Sequence, residues 1–154
     1  MRILFYVYAV FYSNRYREKY SHLLRQDFPR IPFTKDYSIF KSLSEIGATL
    51  VNLHLLKEKL DSPIKFDVQG SNIIERVKLE GERIYINANQ YFDGIKESEW
   101  LFHIGGYQVL EKWLRSRKNK ELRSEEIEQF IQIVDALKKT IELMRKIDEF
   151  SFIN

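Results

Sequence analysis

The stretch RVKLEGERIYI, Arg76 to Ile86, decides how the chain is read. Arg76-Val77-Lys78-Leu79 and Arg83-Ile84-Tyr85-Ile86 alternate polar and apolar residues, the period of a half-buried strand. Glu80-Gly81-Glu82 between them has the length and the glycine of a hairpin turn. Lys65-Phe66-Asp67-Val68 alternates in the same way. Two or three antiparallel strands are therefore predicted between Ile64 and Asn87, too few to stand without helices over one face. The next eight residues, Asn87 to Gly94, read as a polar loop with aromatic content.

On both sides of this segment the period is helical. Ile3 to Phe11 is apolar on nearly every side and predicts a helix buried all round. Ser13 is placed to cap a second helix carrying Tyr16, Tyr20, Leu23 and Leu24 on one face. Asp27 to Phe33 must be extended, because Pro29 and Pro32 each bias the preceding residue away from helix. A third helix begins near Asp36, with Phe40, Leu43, Ile46, Leu50, Leu53 and Leu60 at helical spacing, Gly47 inside it where another element can approach, and Asp61-Ser62-Pro63 as its stop. After Gly105-Gly106, Tyr107, Leu110 and Leu114 share one face until Asn119 and Lys120 break the pattern. Ser124 caps a final long helix whose apolar stripe runs from Ile127 to Ile147, with Glu125 and Glu126 where the helix dipole favours negative charge. The expected class is α+β: one helix-rich domain over residues 1–154, with a small antiparallel sheet in the middle and a long C-terminal helix.

Composition narrows the function. The chain has 154 residues and no cysteine, so disulfides, thiolate nucleophiles and sulfur-ligated metals are excluded and an intracellular setting is expected. No apolar run reaches the ~20 residues of a membrane span, and no membrane partner is expected. The abrupt apolar start, without cap or leader, suggests a piece of a longer protein. Charge is unevenly placed: residues 1–35 hold seven Lys/Arg against two Asp/Glu, and residues 103–120 hold five against one. Two basic segments in a mildly acidic background point toward a polyanion.

Sites for chemistry are mostly missing. His22, His54 and His103 lie far apart with no second ligand at metal-binding spacing, and His54, beside an apolar stripe, reads as a hydrogen-bonded core or boundary residue. There is no GxxxxGK[ST], no GxGxxG, no G-x-S-x-G, and no acid followed two positions later by lysine. No catalytic residue, metal or cofactor is expected within this chain.

The candidates for binding cluster at Gly105 to Lys120. In one reading a helix starting at Gly105 or Gly106 aims free N–H groups at a phosphate, with Tyr107 and Gln108 at that end and Lys112, Arg115, Arg117, Lys118 and Lys120 behind. In the other, the glycines form a tight turn, Tyr107 and Trp113 are core, and the cations cap a helix end. Asn87, Asn89 and Gln90 have the chemistry to pair with adenine edges, and equally to satisfy turn backbone. Arg30 can meet a phosphate, or its proline-flanked segment can seat the chain on another domain.

Five strings, in order, carry a resemblance: YVYAVFYSNRYREKY (6–20), DFPRIPF (27–33), TLVNLHLL (49–56), INANQYFDGI (86–95) and IGGYQVLEKWLRSRK (104–118). Together they resemble the C-terminal specificity (target-recognition) domain of type ISP restriction–modification enzymes and related single-chain adenine-specific DNA methyltransferases. The resemblance implies a duplex-DNA reader that supplies sequence specificity to an upstream methyltransferase domain of the same chain, in the cytoplasm of a prokaryote. The alternative is a docking module that packs on the methyltransferase without reading bases. For the parent, the resemblance implies S-adenosylmethionine, with magnesium and ATP where nuclease and helicase parts are present. The [DN]-P-P-[YF] tetrapeptide and the glycine-rich cofactor motif of that family's methyltransferase are absent here. The resemblance also tips IGGYQV toward a DNA-facing turn.

Overall fold

The computed structural model describes residues 1–26 and 28–153. Asp27, in the segment predicted to be extended, lies outside the described residues, as does Asn154. The class is α+β, and the chain divides into two compact units, Met1–Glu58 with Lys139–Asn154, and Lys59–Lys138.

In the first unit, α1 (Arg2–Phe11) packs against α3 (Tyr37–His54). Tyr6, Ala9 and Val10 of α1 are buried, but Ile3 and Leu4 are 63% and 62% exposed, so the expected burial all round holds for one face only. The α1–α3 approach requires Gly47, since a β-carbon there would stand 1.8 Å from the carbonyl oxygen of Phe5. Ser13 caps α2 (Asn14–Tyr20), accepting from the Tyr16 N–H at 3.1 Å, and its hydroxyl donates to Asp148 at 2.7 Å. Leu23 and Leu24 do not continue that face: they lie in a separate 3-10 turn and are exposed.

Asp36 opens α3 by accepting from the Ser38 and Ile39 N–H groups. The helix stops at His54, six residues short of the predicted Leu60. Leu56, at φ 50°, turns left-handed, its N–H donates to Leu53 O, and the Lys57 N–H donates to Asn52 O. This is a Schellman closure, which sequences usually signal with glycine and this one makes with leucine. His54 is spent on the fold. Its Nδ1 pairs with the Tyr8 hydroxyl at 2.7 Å, its Nε2 with Thr140 Oγ1 at 2.8 Å, and burial, with a smaller contribution from Arg17, lowers its pKa.

The second unit holds the sheet. β1 (Lys78–Glu80), β2 (Arg83–Tyr85) and β3 (Tyr91–Asp93) pair antiparallel in that order, and the one-turn helix α4 (Glu97–Trp100) follows β3. β3 falls inside the segment read as loop; three residues behind Asn87-Ala88-Asn89-Gln90 carry no period. Lys65 to Val68 alternates in burial as expected, but contributes a single bridge, Lys65 to Asp93, in place of a strand. One face of the sheet is covered by helix. The Phe92 ring lies tilted between Phe66 and Phe130, its centroid 4.5 Å from each, and Phe130 meets Trp113 at 5.2 Å. Phe130 belongs to α6 (Ser124–Asp148), whose predicted stripe is buried at Phe130, Val134, Leu137, Met144 and Ile147. Ser124 is its first residue and not a cap outside it. The backbone N–H of Arg123, just ahead, instead donates to Glu126 Oε1 at 3.3 Å.

Gly47→Ala is expected to destabilise the chain by about 3 kcal/mol or more, because the clash is with backbone and neither helix can yield locally; equilibrium denaturant unfolding measures it. His54 predicts the pH response. With its folded pKa below the usual ~6.5, it contributes stability that is present above that value and lost as pH falls through the folded pKa. Unfolding midpoints at neutral and mildly acidic pH should therefore diverge less in His54→Gln than in the parent.

Candidate nucleic-acid interface

Gly105 and Gly106 do not begin a helix. They form the two-residue loop of a hairpin between β4 (His103–Ile104) and β5 (Tyr107–Gln108), in the register His103 to Gln108 and Ile104 to Tyr107. Gly105 takes φ 64° at the first loop position, where hairpins of the II′ kind need glycine. Apart from the adjoining residues, nothing comes within 4 Å of where a β-carbon of either glycine would be, so the tip stands clear of the body. Both strands are short, and helix α5 (Val109–Arg115) follows directly, with Gln108 as its N-cap. The expected helix with free N–H groups at Gly105 or Gly106 is thus replaced by a projecting turn.

Tyr107 is not core. It is 61% exposed, with Lys112 Nζ 3.4 Å from its ring centroid, a cation–π contact that holds the pair together at the surface. Leu110 and Leu114 face inward and fix the helix, leaving Lys112 and Arg115 exposed. Arg115 pairs with Glu111 one turn back. Arg117 is committed to the fold: its guanidinium lies 3.7 Å from the Trp113 ring centroid, donates to Trp113 O, and pairs with Glu126 at 3.0 Å. The Glu126 carboxyl is held below its ordinary pKa, first by hydrogen bonding from the Arg123 side chain and backbone, then by Arg117. Lys118 is exposed, and its ammonium has no partner among the described residues.

The structure separates the three amides proposed for base edges. Asn87 Oδ1 accepts from the Asn89 and Gln90 N–H groups, and Asn87 Nδ2 donates to Ile73 O and Gln90 Oε1. Gln90 is 1% exposed and donates to Val68 O and Asn72 Oδ1 while accepting from the Asn72 N–H. Asn87 and Gln90 therefore satisfy turn backbone, the other of the two readings they allowed. Asn89 is exposed.

Arg30 is exposed, but it lies in the other unit, its carbonyl accepting from the Tyr16 hydroxyl. Several basic residues of that unit are engaged within it. Arg2 donates to Tyr37, Arg15 to Asp148 O, and Arg17 to Phe11 O while lying over the Tyr12 ring.

Three shallow depressions of the second unit share residues and form a continuous surface. His103, Gly106, Tyr107, Gln108, Lys112 and Arg115 line one; Arg115 and Lys118 pass into a second, of about 480 Å³, with Arg76; Arg76 and Lys78 pass into a third beside Tyr85. Arg76 and Lys78 were hidden from a sequence search for binding residues. They are the outward positions of the alternation that marked the strand, where a cation is unremarkable. Among the described residues, no group of three or more His, Asp or Glu is arranged to hold a metal, and no helix is long and apolar enough to cross a membrane.

Residues 1–146 match the family of the Type ISP C-terminal specificity domain. No curated protein sequence matches the chain. Among solved structures, it is similar to a nuclease-deletion mutant of the Type ISP restriction-modification enzyme LlaGI in complex with a DNA substrate mimic (TM-score 0.77, 22% identity, 99% of this chain and 14% of that one). It is similar to the ATP-dependent Type ISP restriction-modification enzyme LlaBIII bound to DNA (0.73, 20% identity, 97% and 11%). It is also similar to DrdV in a DNA complex (0.75, 22% identity, 95% and 18%). At these identities the likeness concerns fold, and the chain spans less than a fifth of each of those proteins. With the family match covering nearly its whole length, the chain belongs to the Type ISP C-terminal specificity domains.

Proposed function

We propose that this chain is the DNA target-recognition part of a restriction–modification protein, binding duplex DNA and supplying sequence specificity to a methyltransferase elsewhere in the parent. The observation that carries this reading is the projecting Gly105-Gly106 turn with exposed Tyr107 beside it and the exposed cations Lys112, Arg115 and Lys118 behind it. A two-stranded ribbon is narrow enough to enter a major groove, and cations to the rear then meet phosphates that set its register. Gln108 and Asn89 are the side chains suited to hydrogen-bond base edges; Tyr107 offers apolar and hydroxyl contact. The solved relatives were captured with DNA or a DNA mimic, which agrees with this reading.

Neither Asn87, Gln90 nor Arg117 is assigned to DNA in this conformation, since each has its hydrogen bonds inside the fold. A docking surface is less well supported here, because charged residues are depleted at the centres of protein interfaces. In the proposed parent, S-adenosylmethionine belongs to the methyltransferase, and ATP and magnesium to helicase and nuclease parts. This chain adds none of those groups.

Fluorescence anisotropy with a labelled duplex of mixed sequence, at two salt concentrations, tests the proposal. The isolated chain should bind weakly, with affinity falling steeply as salt rises. Lys112→Glu/Arg115→Glu should abolish binding. Gln108→Ala should retain salt-dependent binding while relaxing preference at one base position in the parent enzyme. Binding that ignores both sets of changes would remove this surface from the assignment.

A further inference from the structure

Arg76 and Lys118 are 42 positions apart in sequence, yet the backbone brings them to one cleft. The Ile74 N–H donates to Lys120 O at 3.1 Å, and the Asn119 N–H donates to Ile74 O at 2.7 Å. Just beyond, the Glu75 and Arg76 N–H groups both donate to Ile86 O, at 2.8 and 3.1 Å. The two walls of the cleft are therefore joined by main-chain bonds, and the cations on them have little freedom to separate. Ile74, Glu75, Arg76, Val77, Arg115 and Lys118 line it.

Three of those side chains are cationic and one is acidic. Arg115 is partly neutralised by Glu111, whereas the Arg76 and Lys118 side chains have no hydrogen-bond or ion-pair partner among the described residues. Unpaired like charges held on a rigid frame repel one another, so the arrangement gains when an anion enters. A guanidinium and an ammonium on opposite walls suit a phosphate diester, the first as a planar fork and the second as a point charge. Glu75 on the same wall limits the attraction and disfavours any polyanion that does not place a phosphate between the two cations.

We infer that the Arg76–Lys118 cleft is a second phosphate-binding site for DNA backbone, one step along the surface from the Gly105-Gly106 hairpin. This rests on the proposal that the chain binds DNA, and extends it to residues outside the basic segment. Arg76 and Lys118 act on the sugar–phosphate chain and not on bases, so they govern affinity without choosing sequence.

The test is the salt dependence of duplex binding by the chain, compared among the parent, Arg76→Gln/Lys118→Gln and Glu75→Gln. Loss of two phosphate contacts should reduce the slope of log affinity against log salt by about two. The same double variant should weaken low-salt binding about tenfold, with preference among sequences unchanged. Glu75→Gln should bind more tightly than the parent, a gain that misfolding cannot produce. Acetylation of Lys118, followed by mass spectrometry, should be suppressed by duplex DNA.

A double variant with the parental slope, together with Lys118 still acetylated in the presence of DNA, overturns the cleft while leaving the hairpin assignment intact. A parent chain that shows no salt-dependent binding overturns both. If the double variant loses its thermal transition, Glu75→Gln and Lys118 protection decide the matter.

Discussion

The second unit depends on a short main-chain join between the segment leading into the sheet and the turn leaving α5. Ile74 both donates to Lys120 and accepts from Asn119, and the Leu122 N–H donates to Asn72 O at 2.8 Å. The side chains at this join, Ile74 and Leu122, are 0% and 2% exposed, so its bonds are shielded from competing water. Asn119 reaches it at φ 64°, a left-handed conformation that asparagine tolerates better than most residues. Because the join fixes where α5 ends, it also fixes where the cations of that helix emerge. The surface proposed to hold DNA is in this sense set by three backbone hydrogen bonds.

A second constraint supports the first. Asn72 is held from behind by the amide cluster of Asn87 and Gln90, Gln90 bonding both its backbone and its side chain. These amides connect the turn between β2 and β3 to the strand-like segment before β1. Leaving any of them unpaired at such depth costs about 1–3 kcal/mol per group. The cluster therefore acts as a unit, and its polarity reflects the turn it builds more than any ligand. Polar side chains typical of base readers can be consumed entirely by a fold that has few strands and many turns.

How much of this was readable in the sequence follows from which signals are periodic. The sheet's first hairpin, the Ser13 cap, the helix start near Asp36, the long stripe of α6 and the close approach at Gly47 all leave local patterns, and all are present in the structure. The end of α3 was invisible because leucine occupies the left-handed position that glycine usually marks. β3 was too short to show alternation, and Ile3 and Leu4 look like core in a sequence that cannot say how many neighbours a helix has. For the site, the GG-Y-Q string pointed to a special turn, but its apolar-periodic continuation suggested a helix start three or four residues early. Arg76 joined the site only through a tertiary hydrogen-bond pattern, which no spacing rule encodes.

The charge layout fits the proposed weak DNA binding by the chain alone, and a use for it within a larger protein. Glu111 sits against Arg115, Glu80 against Lys78, and Glu75 lines the cleft beside Arg76, so three of the cations on this face have an acid nearby while Lys112 and Lys118 do not pair with one among the described residues. Counterion release per phosphate remains available, but the long-range field that drives indiscriminate binding is reduced. On the proposed reading, a domain built in this way gains little from sliding onto arbitrary sequence and depends on close fit at the hairpin and at the cleft. Where a partner domain supplies further phosphate contacts, those add to both right and wrong sites equally, whereas the acids penalise any register that misplaces a phosphate. Mixed charge therefore trades affinity for discrimination, which is the property a specificity domain must contribute to a chain of which it forms less than a fifth in the solved relatives.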